Sequence, residues 1–327
     1  MGINTSAGVV ELNPNPITKF LENQGVLVLD GGLATTLEAG GADLNDDLWS
    51  AKLLLDDPAA IKGVHLDFLH AGADCIVSST YQASLPGLIR RGLSEQESLA
   101  LIRYSVDLAV EARDGFWDLP ANREGRMRPM VAASVGPYGA YLADGSEYTG
   151  RYGAGVGAGE LDSFHRLRWQ ILTESSADVL ACETIPTRLE AEVLLKLITE
   201  SSDSWAWMGF ACRDGLHIND GTPIKEMAGL CESETRVAAV GINCTAPEYI
   251  PSLIAEVRSA TNKPVIVYPN SGDVYVPSTK TWSPVGVPTD WATECARWAE
   301  LGASCIGGCC RLGPRDIDVM RQALVAT

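Results

Sequence analysis

Three cysteines are the residues of this sequence best placed to do chemistry. Cys309 and Cys310 are adjacent in a glycine-rich segment, and Cys244 ends an apolar run well before them. Thiolates are soft ligands that favour zinc over magnesium or calcium. Structural zinc sites are usually closed by four protein ligands, whereas catalytic sites keep three and leave one position open. The three cysteines therefore indicate one zinc ion per chain with a free position, where a bound thiol would lose its proton more easily.

Two other interpretations of these cysteines stay open on residue types alone. Cysteine is often an inert core residue, and the adjacent pair could instead form a redox couple. Nine cysteines without a secretory signal do not suggest a disulfide framework, and they fit a cytoplasmic location. We predict an inert core role for the other six, which are Cys75, Cys182, Cys212, Cys231, Cys295 and Cys305.

Two carboxylates follow apolar runs in the same way as the cysteines. Asp30 ends the first run and Glu183 the fourth. Such residues can cap helices, but two carboxylates at one site would also hold the ammonium group of an amino-acid substrate. None of the four histidines ends a run. No lysine ends one either, since Lys263 precedes a run, and a Schiff-base aldolase would need a lysine at such a position.

The elements that would position these residues are eight short apolar runs, each followed by a stretch with helical periodicity. Near-continuous apolar runs are typical of strands buried on both faces. Eight such units predict a single-domain α/β protein with the (β/α)₈ TIM-barrel fold, in which strand ends carry the active site. The runs are 26–30, 75–79, 130–134, 179–183, 206–210, 237–243, 265–268 and 304–307, and the helices 58–71, 94–113, 161–175, 188–200, 224–231, 248–260, 291–301 and 316–324.

A doubly wound open sheet is the alternative architecture. The sequence has neither the G-x-G-x-x-G fingerprint of a Rossmann fold nor a P-loop, which disfavours nucleotide-binding versions. We predict an N-terminal extension over residues 1–20 and the barrel domain over 21–327. The long irregular stretch 136–159 follows the third strand and is expected over the barrel mouth as a substrate loop or lid. A second insertion covers 270–289.

Composition narrows the classes of partner. The chain has 327 residues, a formal charge of −17 and a pI near 4.6, which disfavours nucleic acid and suits small cationic or zwitterionic ligands. The sequence has no run of about 18 apolar residues, so no membrane-spanning helix is expected. The start, with Gly2 after Met1, fits the loose myristoylation pattern, but no basic cluster follows.

Three segments carry a family resemblance. They are 30–35 (DGGLAT), 241–244 (GINC) and 307–310 (GGCC). In this order they resemble the signatures of the homocysteine S-methyltransferase family, and the likeness runs from about Val26 to Leu324. It is closest to the plant-type S-methylmethionine-dependent enzymes, through segments 45–51, 139–148 and 267–272.

The resemblance implies a zinc-containing (β/α)₈ barrel and specific roles for residues. The cysteines that match the zinc ligands are Cys244, Cys309 and Cys310. The residues that match substrate-binding positions are Asp30 and Glu183, for the homocysteine amino group, and Tyr81 and Gln82. Asn243 and Asn270, which lie at the ends of the sixth and seventh predicted strands, are also expected to bind substrate. One departure follows the cysteine pair, where relatives usually read Arg-Thr-Thr-Pro and this chain reads Arg311-Leu312-Gly313-Pro314. A polar contact of the first threonine would be lost.

The implied reaction converts L-homocysteine and S-methyl-L-methionine to two molecules of L-methionine, with S-adenosylmethionine as a poorer donor. A cationic sulfonium leaves as a neutral thioether, so no general acid is needed. A cobalamin route is not expected, because no further domain is left to bind that cofactor. The alternatives are methylation of selenocysteine or another thiol on the same barrel, and a non-catalytic zinc-thiolate redox sensor.

Overall fold

The computed structural model describes residues 13–44, 52–201, 203–276, 281–283 and 289–325. Residues 1–12, with the myristoylation pattern, and 45–51, part of the family resemblance, lie outside them. The strands are β1 (Leu27–Val28), β2 (Cys75–Val77), β3 (Met130–Val135), β4 (Val179–Ile185), β5 (Ala206–Phe210), β6 (Val237–Asn243), β7 (Val265–Tyr268), β8 (Val274–Val276), β9 (Thr281–Ser283) and β10 (Ala303–Ile306).

Eight of these strands are parallel and form one sheet in the order β1-β10-β7-β6-β5-β4-β3-β2. The two end strands meet through a parallel bridge between Leu29 and Cys75. The amide of Asp30 donates to the carbonyl of Cys75 at 3.0 Å, and that of Asp74 to the carbonyl of Val28 at 2.7 Å. The sheet therefore closes into the predicted (β/α)₈ barrel, and the open-sheet alternative is wrong. Strands β8 and β9 form a separate antiparallel hairpin within the second insertion.

Thirteen α-helices lie in the described part of the chain. They are α1 (Thr18–Gln24), α2 (Leu33–Ala39), α3 (Leu53–Asp56), α4 (Pro58–His70), α5 (Leu85–Arg90), α6 (Glu95–Asp118), α7 (Tyr138–Leu142), α8 (Ala158–Thr173), α9 (Arg188–Glu200), α10 (Ile224–Glu232), α11 (Ile250–Arg258), α12 (Trp291–Glu300) and α13 (Pro314–Leu324). The eight predicted helices correspond to α4, α6 and α8–α13. The other five are short, and their apolar periodicity is too brief to be recognised.

Local sequence explains where the longer helices begin. Ser94 and Glu97 form a reciprocal capping box at the start of α6. Asp57 caps α4, whose first residue is Pro58, a position that needs no backbone N–H donor. These signals define where the two helices begin, and the apolar face of each helix then packs on the sheet.

The strands are buried on both faces, which is why their sequences do not alternate with polar residues. Val28, Ile76 and Met208 face the helices, whereas Leu27 and Trp207 face the barrel interior. The six cysteines predicted to be inert are all buried free thiols. No helix of the described residues is long and apolar enough to span a bilayer.

Ile17 and Phe20, which precede the first strand, are fully buried in the interior cluster at the amino ends of the strands. Residues 13–20 thus pack on the barrel. The domain boundary at residue 20 stays a prediction.

Candidate active site

A cavity opens where the strands end at their carboxyl side. It encloses about 900 Å³, part of it open to solvent, and draws residues from the ends of strands around the barrel. Seven of the nine predicted site residues line it: Asp30, Tyr81, Gln82, Glu183, Cys244, Cys309 and Cys310. The expected convergence of strand ends therefore occurs in the fold.

The three cysteine sulfurs form one cluster at the wall of this cavity. Their Sγ atoms all lie within 4.8 Å of one another. The distance from Cys310 is 3.6 Å to Cys244 and 4.0 Å to Cys309. In a tetrahedral site with Zn–S bonds of about 2.3 Å, sulfurs lie about 3.8 Å apart. The spacing and softness of these donors therefore fit a zinc ion held by three protein ligands.

Backbone hydrogen bonds between neighbouring strand ends hold the cluster in place. Cys244 directly follows β6 with a positive φ of 48°, and its amide donates to the carbonyl of Tyr268 at 3.0 Å. The amide of Cys309 donates to the carbonyl of Pro269 at 2.8 Å, and that of Ser271 to the carbonyl of Cys310 at 3.1 Å. Hydrogen bonds from the thiols of Cys309 and Cys310 lower the pKa of the Cys244 thiol, which favours the thiolate form that binds a metal.

Asp30 and Glu183 are two buried carboxylates of the same cavity, with exposed fractions of 4% and 9%. Asp30 accepts a hydrogen bond from the amide of Val77 at 2.8 Å, and the hydroxyls of Ser134 and Tyr268 donate to Glu183. Burial raises the pKa of Asp30 well above its usual range and that of Glu183 to about 7. No cationic side chain lines the cavity in the described part of the chain, so these two buried acids are arranged to receive a cation from a ligand.

An irregularity in β4 turns Glu183 toward the cavity. The pairing of β4 with β5 shifts between Cys182 and Ile185, and Thr184 has a positive φ of 59°. Strand β4 thus continues two residues beyond Glu183, where the sequence predicted its end. The amide of Thr184 donates to Asn243 Oδ1 at 2.7 Å, and Asn243 Nδ2 donates to Thr184 Oγ1 at 2.8 Å. Asn243 thus holds the backbone conformation that presents Glu183.

Asn243 and Asn270 are the predicted site residues that do not line the cavity. Asn243 is fully buried, and both polar atoms of its side-chain amide form hydrogen bonds with Thr184. Asn270 Oδ1 accepts from the amide of Gly272 at 2.9 Å and so shapes the turn after β7. Both residues support the cavity wall in the structure, and their direct contact with substrate stays a prediction.

Sequence reasoning missed the side chains that orient Glu183. Trp207 Nε1 donates to the Tyr268 hydroxyl at 3.0 Å, which leaves that hydroxyl free to donate to Glu183. Gly209 provides the space, because a Cβ there would lie 2.9 Å from the Tyr268 hydroxyl oxygen. Ser134 and Tyr268 end the apolar runs 130–134 and 265–268, so the rule that found Glu183 could have found them. Trp207 carried no such signal.

The irregular stretch 136–159 brings a turn to the cavity, where Tyr148 is part of the lining. A buried cluster holds the stretch near both of its ends. Glu190 accepts from the amide of Tyr138 at 2.6 Å and from the hydroxyl of Tyr152. His165 Nε2 lies 2.8 Å from the same carboxylate. Residues far apart in sequence therefore fix this loop over the barrel mouth.

Arg168 completes the buried cluster and sets the tautomer of His165. One of its terminal nitrogens donates to His165 Nδ1 at 3.0 Å and to the carbonyl of Gly136 at 2.6 Å. Because Nδ1 accepts, Nε2 carries the hydrogen and donates to Glu190. Burial lowers the pKa of His165, which agrees with a neutral ring. This histidine is therefore structural.

Leu312 stands where the family resemblance led us to expect a threonine. Its side chain is fully buried and packs on Gly308, where a Cβ would lie 2.7 Å from the leucine side chain. Its carbonyl accepts from the amide of Gly32 at 2.8 Å. Leu312 therefore contributes apolar packing at this position, and its carbonyl links the segment after β10 to the first strand end.

The lining of the cavity is rich in acidic groups. It contains Asp30, Glu38 and Glu183 beside the three thiols, and no lysine, arginine or histidine among the described residues. Such a lining favours ligands with positive charge and disfavours polyanions.

Comparisons with known proteins agree with this site. The sequence model described as Homocysteine S-methyltransferase matches residues 27–324. The chain is 50% identical over 304 residues to the Bacillus subtilis protein named Homocysteine S-methyltransferase YbgG, covering 93% of this chain and 96% of that one. It is 46% identical over 313 residues to the broccoli protein named Selenocysteine Se-methyltransferase, covering 93% and 90%.

A solved structure has the same fold. The metallated form of the Escherichia coli homocysteine methyltransferase MmuM superimposes with a TM-score of 0.84 at 41% identity, over 94% of this chain and 99% of that one.

Proposed function

The chain belongs to the homocysteine S-methyltransferase family, and from that premise we propose that it transfers a methyl group from S-methyl-L-methionine to L-homocysteine with one bound zinc ion. The product is L-methionine from both substrates. The observation that carries the proposal is the placement of three clustered thiols and two cation-free buried carboxylates in one cavity. Because the relatives are methyltransferases, the chain is an enzyme, and we do not retain the non-catalytic sensor.

We assign the metal to the sulfurs of Cys244, Cys309 and Cys310. Zinc bound there would supply Lewis acidity that lowers the pKa of the acceptor thiol from about 8.5 toward neutrality. Three protein ligands leave room for that fourth sulfur. One structure of the Escherichia coli relative is a metallated form, which supports metal binding by a chain of this family.

Asp30 and Glu183 hold the ammonium group of homocysteine in this proposal. Their contacts with Val77, Ser134 and Tyr268 fix the carboxylates before the substrate arrives. Fixing the ammonium places the thiol in reach of the cysteine cluster, and such pre-orientation lowers the entropic cost of reaction.

The methyl donor approaches from the open side of the cavity, over which the 136–159 loop lies. A carbon–sulfur bond forms to the acceptor sulfur while one breaks at the sulfonium, and the donor leaves as a neutral thioether. The acceptor thiol loses its proton to solvent, and no side chain is required as a general acid. A cavity lined by acidic groups, with no cationic side chain among the described lining residues, supports a positively charged donor. S-adenosylmethionine would be a second, poorer sulfonium donor.

Methylation of selenocysteine is the second candidate, because a relative at 46% identity carries that name. Selenocysteine has one methylene fewer between its ammonium and its nucleophilic atom than homocysteine. A cavity that fixes both ends of the acceptor discriminates such a pair by about 1 to 3 kcal/mol. We place homocysteine first.

The test is methionine formation by the purified enzyme from homocysteine with each sulfonium donor in turn, followed by the same assay with selenocysteine. Transfer from S-methylmethionine with the higher kcat/KM supports the proposal. If neither sulfonium donor transfers a methyl group to homocysteine, the proposal is wrong.

A further inference from the structure

Trp207 is an unusual residue for the interior of a parallel barrel, where branched aliphatic side chains normally fill the layers. It lies in β5, is fully buried and belongs to the interior cluster of the barrel. Its pairing partners on the neighbouring strands are Ala181 of β4 and Ala239 of β6. Both alanines are buried in the same interior cluster, and these small residues on either side of Trp207 leave space for the large indole ring.

The indole ring brings a polar N–H group into this apolar interior. A buried N–H without an acceptor is costly, and the indole nitrogen can only donate. Trp207 Nε1 donates to the Tyr268 hydroxyl at 3.0 Å, and the two rings pack edge to face with centroids 6.4 Å apart. The Tyr268 oxygen therefore satisfies the buried indole. Because Tyr268 lines the cavity, this bond connects the barrel interior to the site.

The direction of these hydrogen bonds is fixed by what each group can donate. Because Trp207 Nε1 is a donor only, the Tyr268 oxygen accepts, and the single hydroxyl hydrogen of Tyr268 is left to donate to Glu183. The Ser134 hydroxyl of β3 donates to the same carboxylate. Glu183 therefore accepts from β3 and from β7, and its remaining acceptor capacity is left for a ligand in the cavity that it lines.

We propose that Trp207 and Tyr268 are positioning residues that make the site selective for an acceptor with an α-ammonium group. Trp207 directs the Tyr268 hydroxyl toward Glu183, and Tyr268 holds the carboxylate in the orientation that receives the ammonium. A group held in place before its ligand arrives loses less conformational entropy on binding. Trp207 does not itself line the cavity, so its effect passes through Tyr268. The inference rests on the proposed function, in which Glu183 binds the ammonium of homocysteine.

An acceptor without an amino group distinguishes this role from a general effect on packing. The compound 4-sulfanylbutanoate is homocysteine without its amino group and keeps the thiol and the carboxylate. If Trp207 and Tyr268 act on Glu183, their loss weakens binding only of the thiol that carries an ammonium group. If they merely support the barrel, their loss weakens binding of both thiols alike. Competition against homocysteine measures binding of the analogue, so the analogue need not be a substrate.

The experiment measures steady-state kinetics of Tyr268→Phe, Trp207→Phe and the double variant at saturating S-methylmethionine. Tyr268→Phe keeps the ring and should raise the KM of homocysteine about 10-fold, because a hydrogen bond to a charged group is lost. Trp207→Phe should raise it about 5-fold, since Tyr268 keeps its hydroxyl. The double variant should match Tyr268→Phe, because no hydroxyl is then left to direct. The inhibition constant of the analogue and the zinc content should stay within twofold of wild type.

Trp169→Phe is the matched control. Trp169 is also buried and its Nε1 donates to the Ser201 hydroxyl at 2.7 Å, but it lies on α8 and does not line the cavity. This variant should lose stability without a change in the KM of homocysteine. Should Trp207→Phe not fold, 3-benzothienylalanine at position 207 replaces the N–H with sulfur in a ring of the same shape, and the same rise in KM is expected.

Three results would overturn the assignment. The first is a KM for homocysteine within twofold of wild type in Tyr268→Phe or in the position-207 variant. The second is an equal loss of binding for homocysteine and for the analogue, and the third is full additivity of the two substitutions in the double variant. Failure of the proposed function has a different signature, because wild-type enzyme would then transfer no methyl group from S-methylmethionine to homocysteine at all.

Discussion

Replacing Glu183 with glutamine removes a buried charge and leaves the shape of the side chain almost unchanged. The amide oxygen of glutamine can still accept from Ser134 or Tyr268, the two hydroxyl donors of the native carboxylate. Homocysteine binding, by contrast, needs the charge. The substitution should therefore have opposite effects on stability and on substrate affinity.

The stability effect follows from the raised pKa of Glu183. Burial raises it from an ordinary 4.5 to about 7 in the folded protein, so the folded state holds this proton more tightly than the unfolded chain does. Its stabilising contribution is complete below about pH 4.5 and is lost as the pH rises through about 7. A difference of about 2.5 in pKa corresponds to a loss of about 3 kcal/mol by pH 8.

The variant has no such proton to lose, so its stability should decline less than that of wild type between pH 5 and pH 8. At roughly 2 °C per kcal/mol for a chain of this size, the Tm difference between the two proteins should change by about 5 °C over that range. Asp30 and Glu147 also titrate with raised pKa values. They are present in both proteins, and the comparison cancels most of their effect.

Homocysteine binding should change in the other direction. Loss of a charge-assisted hydrogen bond costs about 1.5 to 3 kcal/mol, which is a rise in KM of about 10- to 100-fold. Wild-type affinity for homocysteine should also weaken as the pH falls below about 7, because the carboxylate becomes protonated. The part of this dependence that comes from Glu183 should be absent from the variant, which keeps the part due to the thiol proton and to Asp30.

Thermal unfolding of both proteins without substrate at pH 5 and pH 8, with kinetics from pH 6 to 8, tests this reasoning. Glu22→Gln on α1, an exposed acid at the opposite end of the barrel, is the control and should match wild type throughout. An unchanged homocysteine KM would remove Glu183 from the substrate site. A Tm difference that does not vary with pH would show that Glu183 is not a buried acid of raised pKa.

Three further perturbations test other parts of the site. Replacing Cys244, Cys309 or Cys310 with alanine should remove about one zinc per chain and abolish activity. The control Cys231→Ala, in the buried core, should keep its metal. Full metal retention by all three cluster variants would refute the ligand assignment. Calorimetry near pH 7 should show homocysteine releasing about one proton more than methionine, because only homocysteine has a thiol to deprotonate; equal release would exclude thiolate binding. Asn243→Ala should destabilise the protein by about 1 to 3 kcal/mol, since it leaves a buried backbone amide without an acceptor, and should raise the homocysteine KM; denaturant unfolding and kinetics measure both.

The sequence by itself determined the architecture and most of the cavity wall. Apolar runs and helical periodicity are local properties, so the eight strands and the eight long helices could be recognised without tertiary information. In a parallel barrel all strands end at one rim. That rule was sufficient to bring Asp30, Glu183, Cys244 and the Cys309–Cys310 pair to a single site.

The tertiary structure decided which way side chains point where the strands become irregular. Glu183 and Asn243 both follow apolar runs, and nothing in the sequence separates their roles. The register shift in β4 and the positive φ of Thr184 direct Glu183 to the cavity, while Asn243 turns to Thr184. Such conformations depend on pairing with a neighbouring strand, so the periodicity of a single strand does not predict them.

The contacts that hold the loop over the barrel mouth could not be predicted from the sequence either. Its position could be expected from its place after β3, but not the residues that hold it. Glu190 is one of several acids in α9, and it differs from the others only because folding brings Tyr138, Tyr152 and His165 to it. A carboxylate in water is satisfied by solvent, whereas a buried one must be satisfied by the groups that fold around it. That is why the role of Glu190 became visible only in three dimensions.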